Sequence, residues 1–222
     1  MFIEDKARQI SRPTLETIGR TLARWHISPD AVTYLGLVLT VGVGVLAALG
    51  KIRWAGAAYI LAAACDALDG AVARASGKGS RFGAFLDSTI DRFEESIVFL
   101  GLIIHCAQVG GQLEIPLILV ATVGSLMVSY TRARAEAVGV ACKVGFMGRP
   151  LRVAITIAGL ILNQVLILLI ILAATTLFTS FQRMFHVWRM TGGERGGWAP
   201  AKEPFVTPTP TIQSPPEPGE RP

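Results

Sequence analysis

Long apolar runs separated by short polar stretches occupy residues 28–190 of the chain. Their lengths predict six membrane-spanning helices, at about 30–49, 54–75, 82–106, 113–137, 149–162 and 165–188. No charged residue lies between Arg152 and Arg183. One helix over that stretch would be about 45 Å long and would overshoot a hydrocarbon layer of ~30 Å, so we expect a break at Asn163 and Gln164. The predicted fold is an all-α integral membrane protein with six transmembrane helices.

The two ends of the chain differ from this apolar region. Residues 1–27 mix charged and apolar side chains, which predicts an amphipathic helix on the membrane surface, broken near Pro13. Eight of the twelve prolines lie in Pro200–Pro222, so we expect residues 191–222 to form a disordered tail. The six-helix catalytic domain is therefore assigned to residues 28–190.

Composition and charge support a membrane protein. Of the 222 residues, 51% are hydrophobic, and the mean hydropathy is +0.50. The net charge is +5, and Lys and Arg collect on one side of the predicted spans, with Lys51 and Arg53 on the other. The positive-inside rule then places both termini in the cytoplasm of a cell-membrane protein. No aromatic-basic pattern typical of RNA binding appears, which argues against nucleic acid as a partner, and the three isolated cysteines indicate neither disulfides nor a zinc site.

Four aspartates lie in segments that are otherwise apolar. Asp66 and Asp69 share one helical face, and Asp87 and Asp91, four residues apart, share another. Two facing helices with two carboxylates each form an all-oxygen site suited to Mg²⁺ or Mn²⁺. A helix cap or solvated loop would explain one or two of these residues, but four carboxylates at membrane depth are too costly without a function.

The spacing D-x2-D-G-x2-A-R-x8-G-x3-D-x3-D is matched by Asp66, Asp69, Gly70, Ala73, Arg74, Gly83, Asp87 and Asp91. This pattern resembles the signature of the CDP-alcohol phosphotransferase family. The resemblance implies that the four aspartates hold two Mg²⁺ or Mn²⁺ ions and that Asp91 is also the general base. It further implies a homodimer and a CDP-linked lipid donor, expected to be CDP-diacylglycerol.

The resemblance also implies a set of residues around the CDP group. These are Pro29, Asp30, Ala31, Val32, Thr33, Asp69, Gly70, Ala73, Arg74, Ser80 and Gly83. From the residues alone, 29–33 are equally well explained as a plain helix start after the cap at Ser28. The glycine-rich stretch 76–83 is either a phosphate cradle or an ordinary turn.

Basic residues outside the motif indicate the second substrate. The predicted acceptor-binding residues are Ser129, Arg132, Arg152 and Arg183, whereas Arg134 and Arg149 are assigned snorkelling or structural roles. Guanidinium groups suit a phosphate, so the acceptor is expected to be a phosphorylated polar alcohol. The segment SYTRARAE followed by R-P-x-R resembles the inositol-phosphate-using branch of the family, which favours inositol 1-phosphate. Glycerol 3-phosphate is the alternative.

The chemistry suited to two metal ions on shared carboxylates is an in-line displacement at phosphorus. The expected reaction moves a phosphatidyl group from CDP-diacylglycerol to inositol 1-phosphate and releases CMP. The alternative from another class is a carrier for cations or phosphate. A carrier does not require Gly, Ala and Arg at fixed offsets from the acids, and the chain lacks the paired broken helices typical of transporters. Glu94 and Glu95 are expected to be buried polar partners of the site, without a direct ligand role.

Overall fold

The structure, a computed structural model, describes residues 16–22, 24–25, 28–77 and 79–192. Every regular element in these ranges is helical. The long helices are α1 (Pro29–Ala48), α2 (Ile52–Ser76), α3 (Arg81–Val109), α4 (Glu114–Ala137), α5 (Arg149–Ile161) and α6 (Val165–Met190). The predicted break at Pro13 and the predicted tail beyond residue 192 lie outside the described residues.

Four of the helices in the described part of the chain are long and apolar enough to cross a membrane, namely α1, α2, α4 and α6. Helix α3 is too rich in charged residues to meet that criterion. Helix α5 has 13 residues, about 20 Å, which is shorter than a hydrocarbon layer of ~30 Å. The all-helical fold and four candidate spans are thus confirmed, and the largest error in a predicted helix end is at α3, which ends at residue 109 instead of 106.

Local sequence explains where the helices begin and end. The Ser28 side chain accepts a hydrogen bond of 3.2 Å from the first turn of α1, and Pro29 is the first helical residue, as expected from its fixed φ. Ser80 caps α3 in the same way, accepting from the N–H of Gly83 at 2.8 Å. Asn163 adopts a positive φ of 56° in the turn between α5 and α6, at the predicted break.

Helix packing brings the polar parts of four helices together. Helix α1 packs against both α2 and α3, α5 packs against α2 and α6, and α4 packs against α3 and α6. A side chain at Gly101 of α3 would overlap the backbone of Gly44 in α1, so these two helices approach at backbone distance. The first turns of α1, the second half of α2, the first half of α3 and the start of α5 consequently surround one polar region.

Residues 16–22 are helical and pack on α2. A Cβ atom at Gly19 would lie 2.8 Å from the carbonyl carbon of Ala71, so the contact is close. Arg20 and Arg74 line a groove between this segment and α2. Arg74 is therefore exposed near the C-terminal end of α2, beyond the aspartates.

Candidate active site

The four motif aspartates meet between α2 and α3. Asp66 and Asp69 project from α2, Asp87 and Asp91 project from α3, and electrostatic interactions link all four. One oxygen each from Asp66, Asp91 and a further residue, Glu94, lie within 4.8 Å of one another. One aspartate of each predicted pair, Asp66 and Asp91, is therefore brought together with Glu94, whereas Asp69 and Asp87 are not part of this close group among the described residues.

Asp69 is tied to the start of α1. Its Oδ2 accepts a 2.7 Å hydrogen bond from the Thr33 hydroxyl, and its Oδ1 accepts one of 2.5 Å from the N–H of Gly70. Asp69 is 6% exposed. The structure thus connects the first turns of α1, where the predicted nucleotide contacts begin, to the carboxylate face of α2.

Glu94 lies inside the carboxylate cluster. It is 1% exposed, and its Oε1 has no hydrogen-bond partner among the described residues. A Cβ atom at Gly36 of α1 would lie 3.1 Å from Asp66 Oδ1 and 3.3 Å from Glu94 Oε1. Gly36 therefore leaves the space that these two carboxylates occupy. The available signal for Glu94 is its position three residues after Asp91, which puts it on the same face of α3.

Arg149 is the counter-ion of this cluster. Its Nη2 atom lies 2.6 Å from Asp66 Oδ2, 2.9 Å from Asp91 Oδ1 and 2.8 Å from Glu94 Oε2. Arg149 is the first residue of α5, and Pro150 follows within the first turn, as the sequence predicts for a helix start. Of the two roles expected for Arg149, snorkelling does not describe this geometry, because the guanidinium points into the carboxylates, whereas a structural role agrees with it.

A second arginine, Arg92, also contacts the motif. Its Nη1 lies 3.1 Å from Asp91 Oδ2 and donates to the carbonyl of Ser88 at 2.6 Å. No role was predicted for Arg92 from the sequence, although it directly follows Asp91. Asp91 is thus flanked by two guanidinium groups, those of Arg92 and Arg149.

Two of the predicted acceptor-binding arginines are enclosed by protein partners. Arg152 is 1% exposed and binds Glu95 in a bidentate pair at 2.8 and 2.9 Å. Arg183 donates to the carbonyl of Val144 at 3.0 Å and to the carbonyl of Val128. Arg183 thereby joins α6 to α4 and to the segment that leads into α5.

The other two predicted acceptor residues are more accessible. Arg132 is exposed and pairs with Glu136 at 3.0 Å, whereas Ser129 is half-buried and donates to the carbonyl of Ser125 at 3.4 Å. Arg183 interacts electrostatically with both Arg132 and Arg152. Arg183 is therefore within electrostatic range of the other two predicted arginines, and Arg132 is the exposed one of the three.

The predicted nucleotide residues are distributed over three helices around the aspartates. Residues 29–33 form the first turns of α1, and Gly70, Ala73 and Arg74 follow Asp69 on α2. Asp30 Oδ1 would lie 3.6 Å from a Cβ atom at Gly83, so the starts of α1 and α3 are adjacent. Ser80 is already engaged as the cap of α3.

The donor set fits hard divalent cations. Carboxylate oxygens are the ligands that Mg²⁺ and Mn²⁺ prefer, and the oxygens here come from two facing helices and lie close together. The buried, unpartnered Oε1 of Glu94 adds a polar atom without a protein donor. Fold and site define a membrane protein with a buried carboxylate centre surrounded by arginines.

Comparison with known proteins identifies the family. Residues 26–189 match the CDP-alcohol phosphatidyltransferase profile. An archaetidylinositol phosphate synthase of Pyrococcus horikoshii is 36% identical over 182 residues, covering 82% of this chain and 94% of the relative. A phosphatidylinositol phosphate synthase of Mycobacteroides abscessus is 37% identical over 197 residues, covering 83% and 89%. The chain belongs to the CDP-alcohol phosphatidyltransferase family.

A solved structure shares the fold. The crystal structure of Mycobacterium tuberculosis phosphatidylinositol phosphate synthase with CDP-DAG bound superposes with a TM-score of 0.73 at 33% identity, covering 78% of this chain and 93% of that one. The same enzyme in complex with manganese and citrate gives a TM-score of 0.71. The family assignment made from the aspartate motif is confirmed.

Proposed function

We propose that this protein transfers a phosphatidyl group from CDP-diacylglycerol to inositol 1-phosphate and releases CMP. The observation that carries the proposal is the similarity, over about four fifths of the chain, to synthases named for inositol phosphate products. These relatives differ in the lipid they are named for, archaetidyl or phosphatidyl, and agree in the polar headgroup. The CDP-DAG complex of the mycobacterial enzyme supports the diacylglycerol form of the donor.

Asp66, Asp69, Asp87 and Asp91 are the residues we assign to hold two Mg²⁺ or Mn²⁺ ions. When bound, such ions neutralise a pyrophosphate and stabilise the entering and leaving oxygens of a displacement at phosphorus. The close oxygens of Asp66 and Asp91 support the assignment for these two residues, and Asp69 and Asp87 are assigned from the family motif. The Thr33 hydrogen bond holds Asp69 in one orientation, which preorganises α2 for binding.

Asp91 is the proposed general base. It takes the proton from the acceptor hydroxyl, whose oxygen forms a bond to the lipid-side phosphorus as the bond from that phosphorus to CMP breaks. The guanidinium of Arg92, whose Nη1 lies 3.1 Å from Asp91 Oδ2, holds the carboxylate in position for the transfer. The CDP group is assigned to the starts of α1 and α3 and the end of α2, through residues 29–33, Gly70, Ala73, Arg74, Ser80 and Gly83.

The acceptor's phosphate is assigned to Ser129, Arg132, Arg152 and Arg183. The exposed Arg132 is the group most free to bind it. Arg183 adds positive charge near Arg132, and Arg152 must exchange Glu95 for the phosphate. Glycerol 3-phosphate carries the same phosphomonoester, so it is the competing acceptor.

The proposed arrangement in the cell is a homodimer in the cell membrane. Each protomer has six spans within residues 28–190, and these include α3 and α5. The site opens to the cytoplasm. The distribution of Lys and Arg supports this orientation.

Product analysis tests the function. Purified protein in detergent is given radiolabelled CDP-diacylglycerol and, in parallel, inositol 1-phosphate, glycerol 3-phosphate or unphosphorylated inositol. We expect a phosphatidylinositol phosphate product and CMP with the first, loss of turnover in EDTA, and recovery on adding Mg²⁺ or Mn²⁺. Full activity in excess EDTA, or preferred use of either other alcohol, contradicts the proposal. Comparing the turnover of CDP-diacylglycerol with that of a CDP-linked archaetidyl lipid in the same assay identifies which lipid is the donor.

A further inference from the structure

We infer that Arg149 competes with the metal cations for Asp66 and Asp91. We also infer that Glu94 is the anchor of Arg149, the carboxyl group that holds its guanidinium beside the metal centre when the cations are bound. The inference rests on the proposed metal site and goes beyond it. It assigns roles to two residues that lie outside the aspartate motif.

The geometry around Nη2 of Arg149 supports the competition with the cations. Nη2 of Arg149 lies 2.6, 2.9 and 2.8 Å from oxygens of Asp66, Asp91 and Glu94. Two of these three carboxylates are assigned metal ligands. A guanidinium nitrogen and a divalent cation cannot lie between the same two oxygens, so a cation that binds Asp66 Oδ2 and Asp91 Oδ1 displaces Arg149 from them.

Charge balance carries the second part. Two divalent cations would balance the four motif aspartates, and Glu94 is a fifth carboxyl group beside them, 1% exposed. Its Oε2 lies 2.8 Å from Arg149 Nη2, so Glu94 is a partner of the guanidinium outside the assigned metal ligands. Glu94 therefore keeps Arg149 beside the centre when the aspartates are taken by metal. Without this anchor, Arg149 would bind Asp66 and Asp91 alone and oppose the cations more strongly.

Mn²⁺ titration of the full-length protein in detergent, without CDP-lipid or acceptor, tests the competition. Electron paramagnetic resonance of free Mn²⁺ gives the affinity directly. Arg149→Gln should bind Mn²⁺ more tightly than wild type, by about tenfold or more, because a neighbouring positive charge is removed. Arg134→Gln, which removes the same charge from an exposed position of α4, should stay close to wild type. Equal or weaker Mn²⁺ binding by Arg149→Gln overturns the inference.

Two further outcomes are decisive. If the wild-type protein binds no Mn²⁺, the proposed metal centre is wrong. If the wild type binds Mn²⁺ but Arg149→Gln binds it no more tightly, the metal centre stands and the competition is wrong. If Arg149→Gln does not fold in EDTA, purification in Mn²⁺ should restore a monodisperse protein, because the cation replaces the lost charge. Failure of that rescue at saturating Mn²⁺ also overturns the competition.

A double-mutant cycle tests the anchor. Glu94→Gln should weaken Mn²⁺ binding by a larger factor in the wild-type background than in Arg149→Gln, since part of its effect passes through Arg149. An equal loss in both backgrounds means that Glu94 acts on the metal directly and overturns its role as the anchor.

Discussion

The Thr33 hydroxyl donates a 2.7 Å hydrogen bond to Asp69 Oδ2, across 36 residues of chain. The bond joins the first turns of α1 to the carboxylate face of α2 in a buried position. Thr33 therefore belongs to two proposed features at once, the nucleotide contacts and the orientation of a metal ligand.

Thr33→Val should remove this bond while keeping the shape of the side chain. We expect a loss of about 1–3 kcal/mol of stability, since a buried carboxylate oxygen loses its donor, and a raised KM for CDP-lipid. Thermal unfolding in detergent and steady-state kinetics measure the two effects. Thr40→Val is the matched control, because the buried Oγ1 of Thr40 on the same helix has no partner among the described residues. Equal behaviour of the two variants would argue against a role for the bond.

Gly36→Ala should disturb the carboxylate cluster from the α1 side. The added Cβ would lie 3.1 Å from Asp66 Oδ1 and 3.3 Å from Glu94 Oε1, so both carboxylates must shift by tenths of an ångström. We expect weaker Mn²⁺ binding and lower kcat. Gly42→Ala is the control on the same helix, because no described atom lies within 4 Å of its Cβ, and it should gain up to about 1 kcal/mol in helix stability. Unchanged Mn²⁺ affinity in Gly36→Ala would show that the cluster tolerates the methyl group.

Arg132→Gln should raise the KM of the phosphorylated acceptor more than that of CDP-lipid. Its ion pair with Glu136 is exposed, so its loss should change stability by less than about 1 kcal/mol. Glu136→Gln breaks the same pair but keeps the guanidinium, and it should leave the acceptor KM unchanged. Matching KM increases in both variants would mean that the ion pair matters and the guanidinium itself does not bind the acceptor.

Asp91→Asn should stop turnover while preserving nucleotide binding better than Asn at the other three motif aspartates. The amide keeps the size of the side chain but cannot accept the proton, and three aspartates still hold metal; we expect kcat to fall about 100-fold or more. CMP binding by calorimetry in Mn²⁺ and single-turnover kinetics separate the two effects. A near-normal kcat rules out Asp91 as the base.

The helices were predictable because their signals are local. Serine caps at Ser28 and Ser80, the proline after Arg149 and the polar break at Asn163 each act within one helical turn. The motif aspartates were found for the same reason, since their spacing is carried by two adjacent helices.

The contacts that complete the site were not predictable, because they join distant parts of the chain. Arg149 lies 83 residues from Asp66 and 55 from Glu94, and no spacing rule connects them. The need for a residue without a side chain at Gly36 arises only when α1 packs on α2 and α3, because only then do the carboxylates of Asp66 and Glu94 lie beside it. The bidentate pair of Arg152 with Glu95 likewise shows a buried, paired arginine where the sequence indicated a residue that binds the acceptor.

The pair formed by Glu95 and Arg152 also constrains how the chain enters the bilayer during synthesis. Helix α5 has 13 residues and two arginines, so it is poorly suited to partition into lipid by itself. Its counter-charges lie on α2 and α3, which leave the ribosome first: Asp66 precedes Arg149 by 83 residues and Glu95 precedes Arg152 by 57. Helix α5 is therefore expected to insert as the partner of an already placed α3, so neutralising Glu94 and Glu95 should impair its insertion even though both residues lie in another helix.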